Sequence, residues 1–270
     1  MSIWTYKDCR SDPDALSEML PSGWNDQCLF CSERLKQLSS GSSMGRMIIG
    51  HNTSFTKATD EIWICGCCGW WGATGVRYSQ GTPYQKMVWV GAVGSLLSLD
   101  LSDQHFPLHE IRKYLCAQYE KRFVVDSKLF EQVVASVYSD LGFKAEAVGA
   151  SGDGGIDVVL TDSSGKRIGV QVKRYQNTIQ VEQIRALTGA LVIKGLTAGI
   201  FVTTSSFTAG GEGTAKASRA KGYPVELVDH RRFFDALKIA QRNCYEKSDE
   251  PDAPWKDVPM VGYLSLGFGQ

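Results

Sequence analysis

The chain has 270 residues, 43% of them hydrophobic, with 29 basic and 29 acidic side chains and no formal net charge. That length suits one ordinary domain with a smaller companion, and the charge balance excludes a surface coated in basic residues while leaving room for a local basic face. The start, MSIWTYKDCRSDPDAL, has no basic stretch followed by an apolar run, and the longest apolar stretch, MVWVGAVGSLL, is far short of the roughly 20 residues a membrane helix needs; a cytoplasmic protein without membrane contact is expected.

Residues 1–80 are rich in Cys, Trp, Gly and Ser, and the run LSSGSSM at 38–44 predicts a loop or insertion. Residues 81–125 read as a connector. Within it, Pro107 opens a predicted helix to Tyr119, with Leu108, Ile111, Leu115 and Cys116 at helical spacing. Residues 126–243 carry the pattern of an α/β domain. Ser127 is placed to cap a helix with apolar positions Leu129, Phe130, Val133, Val134, Val137 and Leu141, ended by Gly142. Strands are predicted at 144–150, 156–161 and 167–175, with Asp162-Ser-Ser-Gly165 as the turn between the last two. A helix over 181–194, a buried strand at 199–204, a glycine-weakened helix over 209–221, a strand at 225–228 and a helix over 231–242 complete the domain. Residues 244–270 form an acidic tail.

Of eight cysteines, Cys28-Leu-Phe-Cys31 and Cys65-Gly-Cys-Cys68 form two CxxC pairs separated by the 33 residues from Ser32 to Ile64. Without a secretory signal, such pairs favour metal over disulfides. Four thiolates in a tetrahedron make a closed structural Zn²⁺ site, and a gap of this length fits a zinc ribbon with an insertion. Cys65 and Cys68 are the expected second pair, with Cys67 in place of Cys68 as the alternative. Trp63, Trp70 and Trp71 are expected to pack around the metal as a miniature core. Free buried thiols, an iron–sulfur cluster and a ligand exchange with His51 are the competing readings.

The second cluster is Gly152-Asp-Gly-Gly-Ile-Asp157 followed by Val170-Gln-Val-Lys173. Residues two apart on a strand share a face, so Gln171 and Lys173 point the same way while Val170 and Val172 point oppositely. A bend at Asp157 brings its carboxylate to them. A carboxylate and an amide oxygen suit a hard divalent cation, Mg²⁺ or Mn²⁺, with the Val172 carbonyl as a further oxygen ligand. Lys173 suits the developing charge of phosphodiester hydrolysis. Glu131, on the first helix of the domain, is a candidate second carboxylate. Alone, Asp157 reads as a turn residue, Lys173 as an exposed strand residue, and Glu131 as a solvated helix glutamate. Thr203, Thr204 and Ser205 read equally as phosphate contacts or as residues of high β propensity.

These residues, with Phe130-Glu131, Gly142-Phe143, Val170-Gln-Val-Lys-Arg-Tyr175 and Val202-Thr-Thr-Ser-Ser-Phe-Thr208, resemble the catalytic domain of Mrr-like restriction endonucleases, within the PD-(D/E)xK nuclease superfamily, over about residues 125–235. The resemblance implies a restriction-endonuclease-like fold, a central mixed sheet flanked by helices; the small zinc-ribbon-like module at residues 1–80 is read from the cysteine spacing instead. It also implies Mg²⁺-dependent cleavage of DNA, double-stranded above all, in restriction or anti-phage defence, often of modified DNA. By it Asp157 matches the metal-binding acid, Lys173 the catalytic lysine, and Glu131 the acid of the first helix. Gln171 takes the position that is Glu in most of the superfamily, and Gln there is usual in the Mrr branch. Cutting both strands with one site per chain makes a homodimer a reasonable expectation. The alternatives are a DNA-gripping zinc-ribbon adaptor, an effector that cuts only when a partner defence protein activates it, and an RNA nuclease. No GxxxxGK[ST] motif indicates an ATPase of its own.

Overall fold

The computed structural model describes residues 2–8, 27–49, 52–80, 85–102, 105–148, 155–246 and 262–267. The chain divides into two units, one of residues 2–98 with 248–270, the other of residues 99–247 with Met1.

The first unit is antiparallel. Strands β1 (Trp4–Asp8), β2 (Leu35–Ile49), β3 (Asn52–Cys65), β4 (Trp71–Gln80) and β5 (Gln85–Leu96) lie in the order β1-β5-β4-β3-β2. The chain's last described strand, β11 (Gly262–Gly267), pairs with the first half of β5, and β1 pairs with its second half. The Ser/Gly run at 38–44, read as a loop, lies inside β2 instead. Ser39 to Ile49 run in continuous antiparallel register with β3, after a single irregularity between Gln37 and Ser39. The ladder needs only backbone donors and acceptors, and β3, with Thr, Phe, Ile and Trp, is a partner of high strand propensity for a low-propensity run. The connector is also divided. Gln85–Leu96 is a strand of the first unit, and residues from Leu99 onward belong to the second; the alternation in KMVWVGAV is filled by pairing to β4.

The second unit holds helix α1 (Leu108–Ala117), a 3₁₀ turn (Tyr119–Phe123), α2 (Ser127–Asp140), β6 (Lys144–Ala147), β7 (Val158–Thr161), β8 (Arg167–Lys173), α3 (Val181–Lys194), β9 (Ala198–Thr203), α4 (Ala209–Ala220), β10 (Val225–Val228) and α5 (His230–Glu246). The sheet is mixed, in the order β10-β9-β8-β7-β6. β8, β9 and β10 run parallel, while β7 is antiparallel to both β6 and β8. One face packs Val159 and Phe201 against Ile184, Leu187 and Leu191 of α3 and Ala215 of α4. Away from that cluster, α2 and α5 meet through Phe130 and Phe233, whose ring centroids stand 5.4 Å apart edge to face. This is the mixed sheet flanked by helices that the sequence implies.

Local chemistry sets the boundaries. α2 is capped by Asp126 rather than Ser127: its carboxylate accepts from the amides of Lys128 and Leu129, and a charged acceptor at the positive end of the helix outcompetes a hydroxyl one residue later. At the β7–β8 turn, Asp162 Oδ1 accepts the amides of Ser164 and Lys166 at 2.9 Å each, and Gly165 takes φ +83°, an Asx-type turn as the sequence predicts.

Candidate catalytic site and cysteine cluster

The register of β7 with β8 places Val158 opposite Val170. Asp157, one residue before β7, therefore stands at the level of Gln171. Its amide donates to the Val170 carbonyl at 2.8 Å, and its carboxylate Oδ2 accepts the Val172 amide at 2.7 Å. The acid is strapped across β8 by its own backbone and side chain. Within a strand residue, N–H and C=O point to the same side. The Val172 carbonyl thus faces the edge that Asp157 occupies.

Gln171 is paired with Phe201 in β9 and Lys173 with Thr203, so the two share one face of the sheet. Gln171 is 7% exposed, and its Oε1 is buried without a hydrogen-bond partner among the described residues. A buried amide oxygen left unsatisfied costs about 1–3 kcal/mol, and an amide oxygen is a donor type that hard divalent cations accept. The other end of that amide lies close against Gly155. A Cβ there would lie 2.7 Å from Gln171 Nε2, and Gly155 sits at φ +87°. Residues 152–154, the remaining glycines and the Asp153 of the motif, lie outside the described residues.

Glu131 is half-buried in the second turn of α2. Burial lifts its carboxyl above the ordinary carboxylate range, the negative charge of Asp157 lifts it further, and Lys173 opposes the shift. The helix acid thus lies within electrostatic reach of both strand residues. The structure brings all four sequence-predicted residues, Glu131, Asp157, Gln171 and Lys173, to one end of the sheet.

Thr203, Thr204 and Ser205 do not open to a ligand; all three are buried. Their hydroxyls are spent internally. Thr204 Oγ1 donates to the Tyr175 carbonyl at 2.8 Å, Ser205 Oγ to the Gln176 carbonyl at 3.1 Å, and Thr203 Oγ1 accepts the Ser205 amide. They hold the backbone that follows Lys173. Arg122 is also buried and supports the same region by donating to the Thr204 carbonyl at 3.1 Å. Nothing in its sequence neighbourhood marks it as interior.

In the first unit the ligand atoms of Cys28, Cys31, Cys65 and Cys68 all lie within 4.8 Å of one another, and all four are buried. Sγ–Sγ separations are 3.5 Å for Cys28 and Cys68, 3.3 Å for Cys31 and Cys65, and 3.8 Å for Cys31 and Cys68. Zinc–sulfur bonds of ~2.3 Å in a tetrahedron set sulfur atoms ~3.8 Å apart, so the set fits Zn²⁺ with slight expansion. Cys67 is buried but stands outside the set. The two knuckles match: in each, an amide one residue past the second cysteine donates to the carbonyl of the first, Ser32 to Cys28 and Gly69 to Cys65. Crowding splits the thiols. Hydrogen bonds from Cys28 and Cys65 draw Cys31 down, while burial, with hydrogen bonds from Cys28 and Cys31, pushes Cys68 up. Trp70 and Trp71 are fully buried beside them, and Trp63 is half-buried. Trp4, missed in the sequence because it is remote from the cysteines, donates from Nε1 to the Cys68 carbonyl at 2.8 Å and packs edge-on to Phe30 at 4.9 Å. His51 lies outside the described residues.

Residues 124–237 match the restriction endonuclease family Mrr_cat. Among curated proteins, the type IV methyl-directed restriction enzyme EcoKMrr of Escherichia coli (strain K12) is 36% identical over 125 residues, covering 44% of this chain and 40% of that enzyme. The chain therefore spans about two fifths of the length of that relative. Among solved structures, an EndoMS–dsDNA complex is similar at a TM-score of 0.28 and 14% identity, covering 84% of this chain and 98% of that one. A repair endonuclease from Pyrococcus abyssi is similar at 0.26 and 12%, covering 84% and 99%. No helix among the described residues is long and apolar enough to cross a membrane.

Proposed function

We propose that this chain, whose residues 124–237 form a restriction endonuclease domain of the Mrr_cat family, is a divalent-metal-dependent DNA endonuclease working through Asp157, Gln171, Lys173 and Glu131. The observation that carries the reading is a buried Gln171 Oε1 with no hydrogen-bond partner among the described residues, next in sequence to the Val172 whose amide holds the Asp157 carboxylate. The Asp157 carboxylate, Gln171 Oε1 and the Val172 carbonyl would hold Mg²⁺ or Mn²⁺, with Glu131 as the second acid. When bound, such an ion polarises a phosphate oxygen and lowers the pKa of a coordinated water.

The chain's own residues then have separate tasks. The Lys173 ammonium, on the same face as Gln171, positions the attacking water and offsets charge gathering on the phosphate oxygens. Glu131, its carboxyl lifted by burial and by Asp157, is suited to receive the proton from that water. The Val172 amide keeps Asp157 from rotating away. Having one neutral amide in place of a second strand carboxylate lowers the negative charge around the ion, so weak metal binding is expected. In the first unit, the four thiolates would hold a structural Zn²⁺.

The substrate in this reading is methylated or otherwise foreign duplex DNA, in defence against phage; the name of the EcoKMrr relative, a methyl-directed restriction enzyme, supports the methylated substrate. A homodimer would supply the two cuts a duplex break requires. The test is nicking of supercoiled plasmid, unmodified and methylated, by wild type, Asp157→Asn and Lys173→Ala, with Mg²⁺, Mn²⁺ or EDTA. Metal-dependent nicking that both variants lose supports the reading. DNA binding without nicking by the folded wild type replaces it with an adaptor or a partner-activated effector, and preference for RNA replaces the substrate.

A further inference from the structure

One cavity of about 360 Å³ opens in the second unit, lined by Phe123, Arg174, Tyr175, Gln176 and Asn177. It begins one residue past Lys173, at the end of β8. Its volume falls at the low end of small-ligand pockets, ~300–1000 Å³. Its walls are aromatic and amide: Tyr175 is 44% exposed, and Gln176 and Asn177 are exposed too.

The backbone that lines it is held by hydrogen bonds to its carbonyls. Thr204 and Ser205 hold the carbonyls of Tyr175 and Gln176 from below. The Arg174 guanidinium donates to the Phe123 carbonyl, tying the post-β8 segment to the 3₁₀ turn. The buried Arg122 guanidinium stands 4.1 Å from the Phe123 ring centroid and fixes that wall by a cation–π contact. So the backbone of the segment and the Phe123 ring are held internally, while the Tyr175 ring is exposed and the Gln176 and Asn177 amides make no hydrogen bond among the described residues. Preorganised walls with uncommitted amides and an exposed ring suit a flat heteroaromatic ligand carrying donors and acceptors on its edge.

We propose that this pocket receives one unstacked nucleobase of the nucleic acid being cut, stacked on Tyr175 and hydrogen-bonded at its edge by Gln176 and Asn177. This rests on the nuclease reading, since the pocket's place beside Lys173 is what assigns it a base close to the cut. A base inside an intact duplex cannot enter a pocket; it must be extruded or lie in a single strand. Stacking on an aromatic side chain contributes about 1–3 kcal/mol per base, a roughly 5- to 150-fold change in affinity.

The experiment measures equilibrium binding of the full chain in EDTA, where nothing is cut. The probes are three fluorescent DNAs: a single strand, its perfect duplex and the same duplex with one unpaired base. Tyr175→Ala is expected to weaken binding of the single strand and bulged duplex by about 5- to 150-fold, Tyr175→Phe to leave it within twofold, and Gln176→Ala to even out affinities when the unpaired base is varied among the four. Thermal unfolding of each variant checks that the fold is kept. If Tyr175→Ala binds all three as wild type does, or if Arg174→Ala alone weakens all three equally, the pocket holds no base and the proposal is overturned; the second result marks a phosphate contact. Binding with these variant effects but without metal-dependent nicking would sink the nuclease reading alone. No binding to any of the three DNAs sinks both.

Discussion

The two clusters are built on opposite plans. The cysteine set is local: each half is a CxxC turn whose backbone closes on itself, and only one contact, between two turns, must form in space. The strand-end set is distributed. Asp157 and Gln171 are 14 residues apart in sequence and Glu131 is 40 residues from Gln171, and they meet only because the β7–β8 register and the seating of α2 bring them together. A local cluster that closes on a metal contributes folding energy directly. A distributed acid–amide–lysine cluster leaves an orphaned buried oxygen and two carboxylates in mutual repulsion, so the surrounding sheet must stabilise it.

That contrast breaks most sharply on metal removal. Zinc in a Cys₄ site is worth an apparent ~10–16 kcal/mol in small domains. Cys68→Ser, or a strong chelator, is therefore expected to unfold the first unit, read as loss of protection from hydrogen exchange in β3 and β4, while β8 and β9 stay protected. Loss of protection throughout, or none, would erase the distinction.

The next largest effect is on chemistry. Asp157→Asn keeps an acceptor for the Val172 amide but removes the charge, and Lys173→Ala removes the ammonium. Each is expected to lower cleavage by about 10²- to 10⁴-fold with thermal stability unchanged or raised, because a site that costs stability loses little when its charges go. Unchanged cleavage in either would remove that residue from the mechanism. Gly155→Ala follows. It demands φ +87° of an alanine and sets a methyl 2.7 Å from Gln171 Nε2, so a loss of about 1–2 kcal/mol from the backbone alone is expected, with metal affinity falling as Gln171 shifts. Stability lost with metal affinity intact would mean that Gly155 serves the turn only.

The same contrast explains what the sequence could disclose. CxxC spacing points to the tetrad, and the clustered sulfur atoms are those of Cys28, Cys31, Cys65 and Cys68, where the spacing leaves Cys67 open. Strand parity put Gln171 and Lys173 on one face because alternation needs no partner. What stayed hidden depends on partners far along the chain. The Leu38–Met44 run looked like a loop because low side-chain propensity is visible and β3's pairing is not. Thr204 and Ser205 looked available to phosphate, since nothing local shows that their hydroxyls are committed to carbonyls 29 residues earlier. Trp4 and Arg122 were missed for the same reason.

A smaller effect tests the local plan. Ser32 and Gly69 occupy matching places after their CxxC turns, at φ +59° and +76°. Left-handed backbone costs a non-glycine residue about 1–2 kcal/mol, partly offset because glycine loses more freedom on folding, about 0.5–1 kcal/mol. Ser32→Gly is expected to raise the stability of the zinc-loaded first unit by up to about 1 kcal/mol, seen as a higher denaturation midpoint. A lowered midpoint would show that the Ser32 side chain contributes something the backbone does not reveal.

The smallest effect tests the distributed plan, in EDTA. Glu131 has its carboxyl raised in the folded state, by burial first and Asp157 second. A raised acid binds its proton more tightly folded than unfolded, so folding is favoured while the group is protonated in both states. That advantage is lost as pH climbs from the ordinary carboxylate pKa, ~4.3, through the raised folded value. At pH 7 the ionised Glu131 is a net burden on the metal-free fold. Glu131→Gln is then expected to raise the melting temperature at pH 7, by less than the roughly 2–4 °C that 1 kcal/mol produces in a domain of this size. The gain should shrink to nothing near pH 4. Added Mg²⁺ should reverse the ranking if Glu131 serves the ion, since the wild-type carboxylate then gains a divalent cation. A glutamine variant that melts below wild type at pH 7 in EDTA would mean that Asp157 and Glu131 do not burden each other, and that this end of the sheet is as self-sufficient as the cysteine turns.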